Sequence, residues 1–319
     1  MLMRLQLLLF FSCIITFSIS SCPAYAAKKP VSLPTQTSLV VDCKTGRILH
    51  DRNSTTKIYP ASLTKLMTLY LLFEAVESGR LSMNQKLYVS KNAERMLPCK
   101  LGLRAKESIT VREAILALIV KSANDAAMVV AENIKGSEEK FAQLMTIRAH
   151  QLGMRDTYFK NASGWHHPCQ KTTARDLAKL SIAIKRDFPK YYSYFSKNNF
   201  VFRGKTIRGH NKVNETYEGV EGLKTGYTTP AGYNLITAAT RKNKSLVAIV
   251  TGGRSAESRN LQMVKLLDTH FDKLSSNKTM ANKLIAKITV PSKTYSRKIK
   301  STKVATNLKV KNKKKLVQS

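Results

Sequence analysis

From Leu66 to Val76 the chain is apolar almost without a break, and it stops at Ser78-Gly79. That pattern predicts a helix buried on all sides, closed by a glycine-type end signal. Ahead of it, Thr37–Val41 and Arg47–His50 are β-branched and apolar runs flanking Cys43-Lys44-Thr45-Gly46, which predicts an early hairpin. The middle of the chain has helical spacing. Thr110-Val-Arg-Glu113 is a capping-box pattern with the apolar stretch Ala114–Val120 behind it. Lys121-Ser122-Ala123-Asn124 interrupts, and Asp125–Ile134 resumes as a helix closed by Gly136. Ser137–Leu152 and Thr173–Lys185 are further helices, with Ser137 as cap of the first and Asp176 in the first turn of the second. Strands return late, at Gly222–Thr228, Tyr233–Thr240 and Ser245–Thr251, with Arg241-Lys-Asn-Lys244 as a hairpin connection. Glu257–Leu274 reads as a closing helix. Strands at both ends and helices between predict an α+β fold: one antiparallel sheet built from the two ends, covered by helices, with a mostly helical subdomain. No internal repeat is visible.

Charge and the termini refine this outline. The chain has 319 residues, is 43% hydrophobic, and carries a formal net charge of +34. Arg4, the apolar run Leu5–Ile19 and the small-x-small site Ala24-Tyr25-Ala26 describe a secretory signal peptide over residues 1–26. Ile19-Ser20-Ser21-Cys22 loosely resembles a lipoprotein-type exit, but the positions at Ala26 fit the small-residue rule better. An exported protein, periplasmic or on the outer face of the cytoplasmic membrane, is the expectation. Residues 27–276 then form one domain. Residues 277–319 hold thirteen Lys or Arg and no acid, a poorly ordered basic tail suited to electrostatic contact with an anionic membrane or wall polymer. Export and the bias of the charge toward the tail argue against nucleic acid as a partner. Cys43, Cys99 and Cys169 are too few and too scattered for a disulfide framework. His166-His167-Pro168-Cys169 lacks a second ligand cluster, so no metal is expected.

The question raised by the buried helix is its first turn. Ser62 and Lys65 stand three residues apart, hence on one face, ahead of a segment destined for the core. Ser-x-x-Lys also occurs at Ser54, Ser137 and Ser275, but Ser54-Thr-Thr-Lys57 runs into Ile-Tyr-Pro, Ser137 opens a Glu-Glu-Lys face with a solvated pattern, and Ser275 borders the tail. Lys-Thr-Gly occurs in the hairpin turn at Lys44 and again at Lys224-Thr225-Gly226, inside a strand. Gly at such a place often marks close approach of a ligand or another backbone. Ser122-x-Asn124 breaks two helices, a position that ordinary loops also fill with Ser and Asn.

Taken together, Ser-x-x-Lys, Ser-x-Asn and Lys-Thr-Gly follow in that order, 60 and 102 residues apart. This trio is known from penicillin-binding proteins and class A β-lactamases. With "PASLTKLMT", "VKSANDAA", "EGLKTGYTTPAGYNL" and "TGGRSAESR", the stretch from Thr37 to Leu274 resembles the low-molecular-weight penicillin-binding proteins, specifically the D-alanyl-D-alanine carboxypeptidases. The resemblance implies the penicillin-binding fold, a serine-type hydrolase without cofactor, peptidoglycan stem peptides as substrate and β-lactams as acylating mimics. It implies Ser62 as nucleophile, Lys65 as its base and Ser122 as proton relay. Asn124, Lys224, Thr225, Gly226, Tyr227, Thr228 and Arg259 would hold the substrate, with the backbone N–H groups of Ser62 and Tyr227 as oxyanion hole. Arg254 is a nearby competitor for the role of Arg259.

A lysine is no base at neutral pH unless its ammonium is disfavoured, which burial at the head of an apolar helix and a second cation at Lys224 would both do. Two relatives in chemistry stay open. A D,D-endopeptidase shares all three motifs. A class A β-lactamase needs a glutamate some 35–40 residues beyond Ser-x-Asn, and Thr157–Ser163 contains no Glu, Asp or His. A non-catalytic penicillin sensor is disfavoured by the intact trio. Many relatives continue into a second all-β domain with a membrane-anchoring helix; the residues after Leu274 are too few for such a domain, and Lys309–Leu316 has no apolar face.

Overall fold

A computed structural model describes residues 34–271. The expected signal peptide and the basic tail lie outside the described residues. The core is a five-stranded antiparallel sheet in the order Ile48–Arg52, Thr37–Asp42, Lys244–Gly253, Gly232–Arg241, Val220–Thr228. The N-terminal hairpin therefore docks on the last strand of the chain, and the pairing Thr37↔Thr251 through Asp42↔Leu246 joins the two ends. This is the expected α+β arrangement.

Both faces of the sheet are covered, and the period-2 alternation of strand side chains decides which residue faces which layer. Leu39, Val41, Ile236, Ala238, Val247 and Ile249 belong to the large cluster that includes the helix Lys65–Glu77. Their neighbours Val40, Leu235, Ala239, Leu246, Ala248 and Val250 belong to a second cluster with Met263, Val264, Leu267 and Phe271 of the closing helix Ala256–Phe271. That helix begins one residue before its expected start; its expected last turn to Leu274 falls outside the described residues.

The helix Lys65–Glu77 is what joins sheet and helical lobe. Every residue from Lys65 to Phe73 is buried, as its unbroken apolar run requires. Each leucine- or phenylalanine-sized side chain sequestered there contributes about 2 kcal/mol, so this element is anchored far more firmly than a surface helix. Around it stand Asn124–Lys135, Glu138–Gln151 and Ala174–Asp187, the last capped by Thr173, whose hydroxyl accepts from the Asp176 N–H. The capping box at Thr110 is complete, with Thr110 Oγ1 accepting from Glu113 N and Glu113 returning to Thr110 N. Gly136 and Gly153 end their helices in the left-handed region. Two small two-stranded sheets, Lys86–Tyr88 with Ser108–Thr110 and the hairpin Asn199–Phe202 with Lys205–Arg208, were not expected from the pattern.

Candidate active site

Ser62 sits on a short 3₁₀ turn, Ala61–Thr64, that runs straight into the buried helix. The residue before it, Ala61, has φ +49°, a left-handed conformation that strains a non-glycine backbone by roughly 1–3 kcal/mol. The surroundings impose it. Asn234, fully buried on the sheet, donates through its side-chain amide to the carbonyls of Tyr59 at 3.2 Å and Pro60 at 3.4 Å. On the other side Gly164, at φ +84°, lies so close that a Cβ would stand 1.9 Å from the Ala61 carbonyl oxygen. The Ser62 N–H donates to no group among the described residues.

Lys65 has no exposed surface. Its amine reaches Ser62 Oγ at 3.1 Å, Asn124 Oδ1 at 2.7 Å and the Ser163 carbonyl oxygen. A neutral amine has two N–H donors and one lone pair. Asn124 Oδ1 and the Ser163 carbonyl can only accept, so they take the two donors, and the lone pair is left facing the Ser62 hydroxyl. Burial, then the Lys224 charge, hold the Lys65 amine well below the ordinary lysine range, which favours this neutral state. The Ser163 carbonyl belongs to a shelf held from two sides: Thr68, one turn after Lys65, donates to Ala162 O at 2.7 Å, and the Ala162 N–H donates to Glu138 at 3.0 Å.

Ser122 is placed by a distorted helix end. The helix Val111–Leu116 widens into a π-turn, Ala117–Lys121, and the next residue, Ser122, turns into the left-handed region at φ +60°. Its side chain is 6% exposed and hydrogen-bonds to no other described residue. Asn124 opens the following helix. It uses its oxygen on Lys65 and its amide on the carbonyls of Leu97 and Pro98, at 3.2 and 3.0 Å. Asp125 beside it accepts from Leu101, Gly102 and Leu103 N–H groups and so fastens the segment that carries Cys99. An anion at a helix N-terminus with that many donors is well satisfied.

The third wall is the edge strand Val220–Thr228. Lys224, 2% exposed, donates only to the Thr225 carbonyl at 3.0 Å. Burial pulls its amine down to about 7, with Arg259 adding to the effect and Cys99 opposing it. Gly226 answers why glycine stands in a strand: a Cβ there would lie 3.1 Å from Ser62 N and 3.3 Å from Leu63 N. Arg259, 4% exposed, donates to Asn234 O at 3.0 Å and twice to Asn260 Oδ1, with no carboxylate partner among the described residues. Burial lowers it to about 10, so it stays charged at neutral pH.

Ser62, Ser122, Thr225, Gly226, Tyr227 and Arg259 line one cleft of about 250 Å³. Lys65, Asn124 and Lys224 lie buried behind Ser62 and Ser122 rather than in the wall. Thr228 does not line the cleft; its hydroxyl is buried without a partner among the described residues. Arg254 belongs to a neighbouring cavity, beyond the paired rings of Tyr227 and Tyr233, whose centroids are 4.3 Å apart. Cys99, His210, Tyr233 and Ala256 complete the cleft and were not foreseen. No sequence pattern marks Cys99 or His210, since both come from irregular segments folded over the site. Tyr233 falls within a quoted motif and could have been weighed. The expectation that Ser137 opens a solvated face holds for Glu139 and Lys140, both exposed, but not for Glu138, which turns inward.

The family profile described as D-alanyl-D-alanine carboxypeptidase matches residues 24–255, which include every one of these residues except Ala256 and Arg259. The chain belongs to the D-alanyl-D-alanine carboxypeptidase family. It is 31% identical over 285 residues to D-alanyl-D-alanine carboxypeptidase DacF of Bacillus subtilis, covering 87% of this chain and 73% of that one. Among solved structures, penicillin binding protein 5 from Haemophilus influenzae is similar with a TM-score of 0.72 and 32% identity, over 77% of this chain and 73% of that one. Penicillin-Binding Protein D2 from Listeria monocytogenes in its ampicillin-bound form is similar with a TM-score of 0.69 and 31% identity, over 74% and 97% of the two chains. The family is one of serine-type peptidases, and its fold is the one described above.

Proposed function

We propose that the cleft removes the terminal D-alanine from peptidoglycan stem peptides through an acyl ester at Ser62. The observation that carries this reading is the fully buried Lys65 amine, 3.1 Å from the Ser62 hydroxyl and fixed by Asn124 Oδ1 and the Ser163 carbonyl oxygen. The peptide's terminal carboxylate is met by Arg259, the Thr225 hydroxyl and the ammonium form of Lys224. Arg is suited to a planar carboxylate. Ser62 Oγ attacks the penultimate carbonyl carbon while its proton passes to Lys65. The developing oxyanion is held by the N–H groups of Ser62 and Tyr227, each such donor worth about 3 kcal/mol of barrier. As the C–N bond breaks, the unpartnered Ser122 hydroxyl gives its proton to the departing D-alanine amine and takes in its place the proton that Lys65 received from Ser62. Water then hydrolyses the ester.

β-Lactams present the same carboxylate and a strained amide, and we infer that they acylate the same serine. The test is release of D-alanine from a peptide ending in D-Ala-D-Ala, with Ser62→Ala as control. Loss of serine is expected to reduce turnover by roughly a million-fold and to abolish the mass increase with benzylpenicillin. D-alanine release unaffected by that substitution would overturn the assignment. Cross-linked muropeptides in the same assay separate carboxypeptidase from endopeptidase action. On this reading the enzyme works outside the cytoplasmic membrane, and the basic residues 277–319 hold it near anionic surfaces; binding of the full chain to anionic vesicles should then vanish at high salt.

A further inference from the structure

We propose that Glu138 is a positioning residue for the base of this reaction: it holds the Ala162–Gly164 shelf, and through it the Ser163 carbonyl that aims the Lys65 amine at Ser62. The proposal rests on Lys65 being the base, as argued above.

Lys65 has two acceptors to orient it. Asn124 comes from a helix and is fixed by three bonds to the segment Leu97–Cys99, two from its amide and one from its backbone N–H at 2.7 Å. The Ser163 carbonyl comes from an irregular stretch and has no such frame of its own. What fixes that stretch is a set of side chains from elsewhere. Gln170 accepts from the N–H groups of Lys160 and Asn161, at 2.9 and 3.2 Å. Asn161 accepts from Gly164 N at 2.8 Å. Thr68 takes the Ala162 carbonyl, and Glu138 takes the Ala162 N–H, from the opposite side. Ala162 precedes Ser163 directly, so its peptide orientation sets where the Ser163 carbonyl points. A shift near 1 Å at a catalytic group is enough to cost about a hundredfold in rate.

Glu138 is suited to hold rather than to react. It lies in the first turn of Glu138–Gln151, does not line the cleft, and is half-buried. The charged groups that act on it are Glu132 and Lys65. Burial pushes its carboxyl up; the Ala162 N–H opposes this, Glu132 adds to it, and Lys65 opposes it. In turn its charge favours the ammonium of Lys65, against the working state of the base. A carboxylate kept at that spot despite this opposing effect is explained by the N–H it holds.

The test is the second-order rate of acylation by a fluorescent penicillin across the pH range, for the full chain, Glu138→Gln and Glu138→Ala. Unfolding curves establish that each variant is folded. Glu138→Ala is expected to acylate about tenfold more slowly at its plateau, the lower part of the range for a displaced catalytic group. Glu138→Gln offers an amide oxygen to the same N–H and should restore most of that rate. With the anion gone, its acidic limb should move to lower pH. A proton titration of Lys65 followed by NMR in ¹³C-lysine protein reads the same shift without any turnover. Should the wild-type chain fail to be acylated at all, the functional reading fails, while this titration still decides whether Glu138 acts on Lys65. Glu138→Ala reacting as fast as wild type, or Glu138→Gln as slow as Glu138→Ala, overturns the proposal.

Discussion

Two lysines are buried within reach of one another, and their cost to folding can be worked out for Lys224. Its amine titrates at about 7 in the folded chain, against 10.5 in the open. Below pH 7 both states carry the proton, and the folded state bears the full penalty of a buried charge. Between pH 7 and 10.5 the folded chain has released it and the unfolded chain has not. The unfolded state then binds more protons, so stability rises with pH, by about 1.4 kcal/mol per pH unit at most. Integrated from pH 7 to pH 9, Lys224 alone should stabilise the fold by about 2 kcal/mol, roughly 4–8 °C in melting temperature for a domain of this size. Its side chain is 2% exposed, so solvent screening takes little from that figure.

Lys224→Met keeps the aliphatic bulk and removes the titration. The comparison is cleanest in the background of Lys65→Met, because in the native pair the loss of one ammonium also changes the other. Urea unfolding of Lys65→Met and of Lys65→Met/Lys224→Met at pH 7 and pH 9 then gives a difference of differences from which packing and all shared groups cancel. The double variant should be the more stable at pH 7, and its advantage should shrink by about 2 kcal/mol at pH 9. Curves that run parallel at the two pH values would refute the claim that Lys224 gives up its proton near neutrality.

Further outcomes follow from the same geometry. The pH profile of kcat/KM should fall on its alkaline side near 7, where free Lys224 loses its charge, while kcat should hold to higher pH because a bound carboxylate stabilises the ammonium; equal alkaline limbs would contradict this. Gly226→Ala, with its Cβ 3.1 Å from Ser62 N, should slow acylation at least tenfold while the fold survives, the backbone there having to give by a few tenths of an ångström. Gly164→Ala meets a contact of 1.9 Å at φ +84° and should cost about 4 kcal/mol or more in urea unfolding. The free thiol of Cys99 lines the cleft, so an anionic disulfide reagent should label it in the free enzyme and fail to do so after penicillin acylation, as peptide mapping would show.

The fold was legible where one period dominates. The alternation in Gly232–Arg241 and Lys244–Gly253 places successive residues in two different apolar clusters, and the unbroken run Leu66–Phe73 makes a helix with no solvent face. The trio of motifs was legible because each sits on an element that the pattern also marks: a buried helix start, a break between helices, a strand. The remainder depends on distance in space. Asn234 and Gly164, which between them hold the strained Ala61, come from 173 and 103 residues further along the chain; Asn234 falls within the motif that carries Lys224, but nothing local says which backbone it holds, and Gly164 reads as any glycine in a turn. Glu138 was misjudged for a related reason. Glu-Glu-Lys after a capping serine is the pattern of a solvated first turn, and only tertiary packing shows that one of the two acids faces inward.

The inward turn of Glu138 also bears on the fate of the acyl ester. A β-lactamase needs a carboxylate that can reach the water attacking the ester. Among the described residues that line this cleft there is no Asp or Glu, and the two acids that act on Lys65, Asp125 and Glu138, are both occupied by backbone N–H groups, Glu138 behind the Ala162–Ser163 shelf. On the proposed mechanism the group left to activate water is the Lys65 amine, which regains its lone pair once its proton has passed through Ser122 to the leaving D-alanine. With a peptide, the departing amino acid vacates the space in front of Arg259, and water can enter there. With a β-lactam, the leaving nitrogen remains tethered to the acyl group, and on the same reading its carboxylate would stay on Arg259 and Thr225. The same arrangement of residues thus turns over a peptide and is held by a penicillin, because one product can leave and the other cannot.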